Sequence, residues 1–132
     1  DSYVWATNSV SGDVVTLQHL PAGATIIDVL IYGNDHGTAG QYDIGYVSTD
    51  TDAEATDADA FCNEFNPEGT AGNVFSIFGA GLTAGTGVGA VSCTSVVPFK
   101  RLAAAVNVTI TCTEASNAGT DATIKIGVIY SI

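Results

Sequence analysis

Apolar and polar residues alternate along much of this chain with the period of two that is typical of β-strands. The clearest alternation spans residues 105–113, in which every second residue is apolar: Val106, Val108, Ile110 and Cys112. Further apolar segments cover residues 14–20, 24–32, 40–48, 73–78, 90–97 and 122–132, and Gly, Asn, Asp and Pro separate them. Because those four residue types favour turns, the pattern predicts an all-β domain. We expect an antiparallel β-sandwich, jelly-roll-like, with about eight strands.

Residues 49–68 interrupt this alternation and contain half of the fourteen acidic residues. Within this acidic insert, Thr56 can cap a helix whose first turn carries Asp57 and Asp59, a favourable arrangement for the helix dipole. The apolar residues that follow have helical spacing: Ala58, Phe61, Cys62 and Phe65. The spacing predicts one short helix near Asp57–Phe65 that packs on the sheet.

The insert opens with carboxylates at alternate positions, Asp50, Asp52 and Glu54, as a calcium-binding loop does. The remainder departs from such a loop, because Ala55 stands where a sharp turn needs Gly and Phe61 stands where a closing Glu is needed. The favoured interpretation is a solvated acidic loop, with a non-standard calcium site as the alternative.

Length and charge restrict the possible functions further. The chain has 132 residues, which suits a single domain over residues 1–132. Three Lys and Arg against fourteen Asp and Glu give a net charge of −11, with no basic block, so nucleic acid is not an expected partner. No apolar run approaches the roughly 18 residues of a membrane helix, so a membrane is not expected either.

The sequence contains no recognisable catalytic constellation. His19 and His36 are the only imidazoles, and neither accompanies a nucleophile motif. Residues 85–90 match a dinucleotide-binding glycine pattern, but a β-rich run follows where a helix is required. We therefore expect no enzyme activity, no catalytic residues, no cofactor and no metal site. The odd number of cysteines predicts reduced thiols, with Cys112 buried.

Two short segments are candidate partner interfaces. Tyr3, Val4 and Trp5 precede the first firm strand, and Trp and Tyr are favoured anchors at interfaces. The alternative is that these residues form an edge strand of the same domain. Lys100 and Arg101 hold two of the three cations in a turn, where we expect a salt bridge to a neighbouring subunit or loop.

Several stretches together resemble a group of small structural proteins of tailed bacteriophages. The resemblance lies in a strand at residues 12–17, the Leu-Pro-x-Gly-Ala turn and long strand of residues 20–27, and the strand of residues 37–46. Residues 57–61 are similar to that group's short helix, and residues 122–130 to its closing strand. The three cysteines and the glycine-rich residues 79–89 depart from the group's pattern.

The resemblance implies a capsid decoration (cement) protein on the outer capsid surface of the virion. Its implied partners are the major capsid protein and further copies of itself, with a trimer favoured over a dimer. The expected role is to stabilise the shell by bridging capsomers, through termini and loops rather than sheet faces. The alternatives are another virion module of the tail or fibre, and an extracellular carbohydrate-binding module that uses Trp5 or the stripe Tyr42, Ile44 and Tyr46 as a sugar platform.

Overall fold

The computed structural model describes residues 2–5, 9–34, 40–66, 73–76, 99–115 and 122–132, with residues 2–5, 73–75 and 122 described by their backbone alone. The fold is all-β, and its strands form two antiparallel sheets. The strands are β1 Ser2–Trp5, β2 Val14–Leu20, β3 Thr25–Gly33, β4 Gln41–Ser48, β5 Asp57–Phe65, β6 Asn73–Ser76, β7 Val106–Glu114 and β8 Ala122–Ser131. In the described part of the chain, no helix is long and apolar enough to cross a bilayer.

The strands pair in a nested order. The first sheet has the order β1-β8-β3-β6 and the second has the order β2-β7-β4-β5. Thus β1 pairs with β8, β2 with β7, β3 with β6 and β4 with β5, as in a single long hairpin. Two further pairings, β3 with β8 and β4 with β7, join these hairpin pairs into the two sheets.

Side chains from both sheets form one buried apolar cluster. Every second residue of β4 and β7 contributes to it, which confirms the alternation seen in the sequence. The largest fully buried side chains are Tyr42, Tyr46, Phe61, Phe65, Leu20, Ile26, Ile31, Ile44, Leu102, Ile110, Ile124 and Ile126. Cys112 is buried in the same cluster, as predicted, whereas Cys93 lies outside the described residues.

A bulge in β3 changes which of its residues face the core. The alternation of the sequence places Ile27, Val29 and Ile31 on one face, but Ile27 is 39% exposed while Ile26 is fully buried. The register with β8 shifts between Ile26 and Asp28, so Ile27 is the extra residue. An extra residue reverses the phase of the side chains beyond it, which period-two reasoning cannot detect.

The predicted short helix is wrong, because residues 57–65 form strand β5. This strand is irregular: Tyr46 pairs with Asp57 and Ile44 pairs with Cys62, so an advance of two residues on β4 corresponds to an advance of five residues on β5. A second shift follows near Glu64, which has a positive φ of 56°. The bulges bury Phe61, Cys62 and Phe65 at uneven intervals, and that spacing imitates one face of a helix.

Gly45 allows the bulged strand to approach β4 closely. A Cβ atom at this position would lie 2.5 Å from the carbonyl carbon and 2.6 Å from the carbonyl oxygen of Ala58, and it would also meet the carbonyl oxygen of Asp57. Such distances are far inside van der Waals contact, so only glycine fits here. The backbone of β5 therefore covers the outer side of β4 at Gly45.

Thr109 is buried by this arrangement, because it pairs with Gly45 in the register between β4 and β7. It is 1% exposed, and its hydroxyl has no hydrogen-bond partner in the described structure. Thr109→Val replaces that hydroxyl with a methyl group of similar size. We expect the free energy of unfolding to rise by about 1 kcal/mol, because no buried polar atom is then left unsatisfied. Urea denaturation measures this change.

Thr16→Val is the matched control, since exposed Thr16 pairs with Thr109 on the other side of β7. This surface substitution should change the free energy of unfolding by less than about 0.5 kcal/mol. A loss of stability in Thr109→Val would show instead that the hydroxyl makes a hydrogen bond.

The remaining predicted features fall outside the described residues. These are the strand at residues 90–97, the glycine-rich residues 79–89 and His36. His19 lies on β2, where its Nδ1 is 3.0 Å from Oδ1 of Asn107 on β7. This cross-strand contact agrees with a surface role for His19.

Candidate functional site

Lys100 makes the one ion pair found among the described residues. Its Nζ lies 2.8 Å from Oε1 of Glu54 and also donates a hydrogen bond to the hydroxyl of Tyr46. The Tyr46 hydroxyl in turn donates to Oε1 of Glu54 at 3.1 Å. The three side chains form a closed triangle, here called the Lys100 cluster. The expected salt bridge of Lys100 is thus made to a loop of the same chain.

Two loops hold the cluster in place. Glu54 ends a turn in which the carbonyl of Asp50 accepts hydrogen bonds from the amides of Ala53 and Glu54. The other loop, residues 99–105, contributes the Ala103 amide, which donates to Oε2 of Glu54 at 2.9 Å. Thr49 donates from both its amide and its hydroxyl to the carbonyl of Ala105. These bonds tie the β4–β5 loop to the segment that leads into β7.

The cluster sits at the boundary of the core. Glu54 is 9% exposed and the Lys100 side chain is 34% exposed, while Tyr46 is buried against Phe61 with ring centroids 5.8 Å apart. The ammonium group of Lys100 also lies over the Tyr46 ring, 5.1 Å from its centroid. The aliphatic stem of Lys100 can therefore pack on the core while its charge reaches Glu54.

The surroundings strengthen the charged states of the ion pair. Burial alone would raise the pKa of the Glu54 carboxyl, but hydrogen bonds from Lys100, the Ala103 amide and Tyr46 outweigh it and hold this pKa below its ordinary value. Burial would lower the pKa of Lys100, but Glu54 and Tyr46 outweigh it and raise this pKa. Burial raises the pKa of the Tyr46 hydroxyl, and Lys100 opposes this effect only in part.

These directions oppose the use of Lys100 or Tyr46 as a base or nucleophile. A general base or nucleophile at neutral pH needs a lysine or tyrosine with a lowered pKa, so that its lone pair is available. Here the pKa values of Lys100 and Tyr46 are both raised, so both groups keep their protons. The arrangement suits a structural connection between the two loops.

The same geometry bears on the calcium alternative. Glu54 is engaged by Lys100, and Oδ1 of Asp50 accepts a hydrogen bond from the Asp52 amide. Among the described residues, no group of three His, Cys, Asp or Glu side chains could hold a metal ion. Near this loop, burial raises the pKa of Asp57, and a hydrogen bond with Asp59 raises it further.

Arg101 lies beside the cluster and is exposed. Its Nε is 3.4 Å from the carbonyl oxygen of Gly23, and its backbone forms an isolated bridge with Thr25 at the start of β3. A depression of about 340 Å³ is lined by Gly23, Arg101, Leu102 and Ala103. The structure therefore brings Lys100 and Arg101 to one surface but gives them different roles, the first paired and the second open to solvent.

Residues 2–5 form β1, an edge strand paired with β8, in which Tyr3 is opposite Ile124 and Trp5 is opposite Ala122. The backbone thus follows the edge-strand alternative considered for Tyr3, Val4 and Trp5. An edge strand has unpaired backbone groups that a neighbouring chain can bind. Contact of this edge with a partner remains a prediction.

Sequence reasoning missed Glu54, Tyr46 and Phe99 as parts of this region. Glu54 was one of many acids in the insert, and nothing in the spacing distinguishes it from Asp50 or Asp52. The scarcity of cations was the available signal. Since the chain has only three Lys and Arg against fourteen acids, few of the acids can form an ion pair, and a buried acid needs one of these cations as its partner. The position of Phe99 just before Lys100 carried no signal of its exposure.

The chain was also compared with models of protein families, with curated proteins and with solved structures. None of the three comparisons found a match.

Proposed function

We propose that this protein is a structural component of a bacteriophage virion that decorates the outer capsid surface, bridges capsomers and thereby stabilises the shell. It acts as a homo-oligomer, with a trimer favoured over a dimer, and its second partner is the major capsid protein. The proposal starts from the resemblance of residues 12–46 to small tailed-phage structural proteins; the likeness of residues 57–61 to that group's short helix does not support it, because these residues lie in β5.

The observation that carries the proposal is the nested strand pairing. The strands pair as in one long hairpin, with β1–β8 as the outermost pair and β4–β5 as the innermost. This hairpin is rolled so that β3 also pairs with β8 and β4 with β7, which is the winding of a jelly roll. Jelly rolls are the usual architecture of viral coat domains, and they also occur in lectins. We therefore assign a jelly-roll β-sandwich as the architecture that supports a coat role.

The Lys100 cluster supports the same conclusion from chemistry. It uses one of only three cations to connect two loops, and it keeps Lys100 and Tyr46 protonated. Such a connection adds rigidity rather than reactivity. The net charge of −11 also favours a protein that stays soluble at high copy number and avoids packaged DNA.

A carbohydrate-binding module is the second candidate, because lectins share the jelly roll. The structure removes one of its two sugar platforms: Tyr42 and Tyr46 are at most 1% exposed, so they cannot stack on a sugar ring. Trp5 is left as the sugar platform of this candidate.

A tail or fibre module is distinguished from a capsid component only by where the protein is found in the particle.

Purified particles test the proposal directly. If the protein decorates the capsid, it should be present in stoichiometric proportion to the major capsid protein, and shells without it should lose resistance to heat and regain it when the purified chain is added. Equal heat resistance with and without the chain would overturn the stabilising role. Glycan-array binding by the free chain, together with its absence from shells, would favour the carbohydrate-binding candidate.

A further inference from the structure

An apolar surface with one cation lies beside the Lys100 cluster. Residues 99–102 run alongside the start of β3: the Phe99 amide donates to the carbonyl of Ile26 at 3.1 Å, and the Ile26 amide donates to the carbonyl of Lys100 at 2.9 Å. Side chains alternate along this segment. Lys100 and Leu102 point inward, whereas Phe99, which is 68% exposed, and Arg101 point outward.

Two exposed isoleucines extend this surface across the sheet. Ile27 is the bulge residue of β3 that directly follows the Ile26 partner of Phe99, and Ile129 pairs with Asp28 on the far side of β3. Ile27 is 39% exposed and Ile129 is 46% exposed. The four exposed residues Ile27, Phe99, Arg101 and Ile129 therefore lie on three adjacent backbone segments, and together they are here called the Phe99 surface.

Contacts of the neighbouring residues hold the backbone of Phe99. Phe99 has a positive φ of 65°, which is unusual for a bulky residue and costs about 1–2 kcal/mol. Lys100 is bonded to Glu54 and Tyr46, and the Leu102 amide donates to the carbonyl of Ala24, so the segment that follows Phe99 is anchored. Phe and Arg are enriched at interfaces, and a residue whose backbone is already held loses less entropy on binding.

Charge indicates what would cover this surface. Arg101 brings a positive charge to this surface of a molecule whose net charge is −11. Asp28, which lies between Ile27 and Ile129, is the acid within the surface, and its carboxylate accepts hydrogen bonds from the Val29 amide and the Ser76 hydroxyl. The complementary feature lies on the same chain: the β4–β5 loop carries Asp52, which is exposed. Glu54 of that loop contacts both Lys100 and Ala103, so the loop adjoins the Phe99 surface.

We propose that the Phe99 surface docks on a second copy of this chain, with Arg101 of one copy against Asp52 in the β4–β5 loop of the next. Each copy thus carries both sides of the contact: the Phe99 surface with Arg101, and the β4–β5 loop with Asp52. Repetition of such a contact closes a ring if the rotation between copies allows it. The inference specifies the self-association within the proposed function, but it requires neither a shell nor a viral role.

Sedimentation equilibrium of the purified chain over a range of concentrations tests this contact. The wild type should self-associate, and Phe99→Ala and Arg101→Glu should each weaken the association constant about tenfold or more. Asp52→Arg should weaken it similarly. The double variant Arg101→Glu/Asp52→Arg exchanges the two charges and should restore association to within about threefold of the wild type.

Matched controls exist elsewhere on the surface. Lys125→Glu makes the same charge reversal on β8, where Lys125 lies over the Tyr32 ring, and Val14→Ala removes another exposed apolar side chain, from β2. Both should associate like the wild type, and circular dichroism should show that every variant is folded.

Three outcomes would overturn the inference. The first is a wild-type chain that is monomeric at all concentrations. The second is association that Phe99→Ala and Arg101→Glu leave unchanged. The third is a double variant that stays as weak as its parents, which would show that Arg101 meets a group other than Asp52. If this inference fails while the chain still binds shells, the capsid role stands and only the contact between copies is lost.

Discussion

Gly45→Ala is expected to lower the free energy of unfolding by about 3 kcal/mol or more, because overpacking against backbone cannot be relieved by a side-chain rotation. The added Cβ would meet backbone atoms of Asp57 and Ala58, so β5 must move away from β4. Movement of β5 would also disturb Phe61 and Phe65, two of its core side chains. For a domain with about 5–15 kcal/mol of stability, this is a large fraction. Urea denaturation followed by circular dichroism measures it.

Gly127→Ala is the matched control. Gly127 lies in β8, and the described atom nearest to a Cβ there is the Cβ of Leu30 at 4.0 Å, which is ordinary contact. We expect a change of less than about 1 kcal/mol, with a small gain possible because alanine restricts the unfolded chain. If Gly45→Ala unfolds at the same urea concentration as Gly127→Ala, the close approach of β4 and β5 is wrong.

Lys100→Met is expected to lower the free energy of unfolding at neutral pH by about 2 kcal/mol, less than for a fully buried pair because Lys100 is partly exposed. The variant leaves Glu54 nearly buried without its countercharge. Glu54→Gln/Lys100→Met should recover most of the loss, because the amide oxygen of Gln can accept from the Ala103 amide while its NH2 group donates to the Tyr46 hydroxyl. Lys125→Met, at a surface cation over a tyrosine ring, should cost less than about 1 kcal/mol.

The pH dependence of this effect has a definite sign. The folded-state pKa of Glu54 is lowered, so its contribution to stability is present above the ordinary carboxyl pKa and disappears as the pH falls through the lowered value. The difference between the wild type and Lys100→Met should therefore be greatest at neutral pH and shrink on acidification. A difference that is constant from neutral to acidic pH would contradict the role of the ion pair.

The fold was predictable where strands are regular. The alternation in residues 105–113 predicts β7 almost to the residue, because one face of this strand packs on the core. The bounds of β2 were also predicted, although its register with β7 shifts between Thr16 and Gln18. Prediction failed at the bulges, at Ile27 in β3 and over residues 57–65 in β5. An extra residue changes the side-chain period locally, and its cause is the partner strand, which is distant in sequence.

The candidate site was predictable only in part, for a related reason. The scarcity of cations drew attention to Lys100 and Arg101. Lys100 forms an ion pair and Arg101 is exposed, and this difference depends on the direction of each side chain in the paired segment 99–102. The partner of Lys100, Glu54, is placed by a turn and by the Ala103 amide rather than by its spacing from Asp50. Contacts between separate loops of this kind leave no periodic trace in the sequence.

The nested pairing of strands also affects how this chain can fold. Among the strands of the described residues, only β4 and β5, the innermost pair, are neighbours in sequence that also pair, whereas β1 pairs with β8 at the opposite end of that part of the chain. Each outer pair closes a longer loop than the pair inside it. The chain loses the entropy of closing that loop before the contacts of the pair can stabilise it. Folding from the centre outward is the least costly route. During synthesis, the backbone groups of β1 and β2 therefore stay without their partner strands until β7 and β8 have left the ribosome.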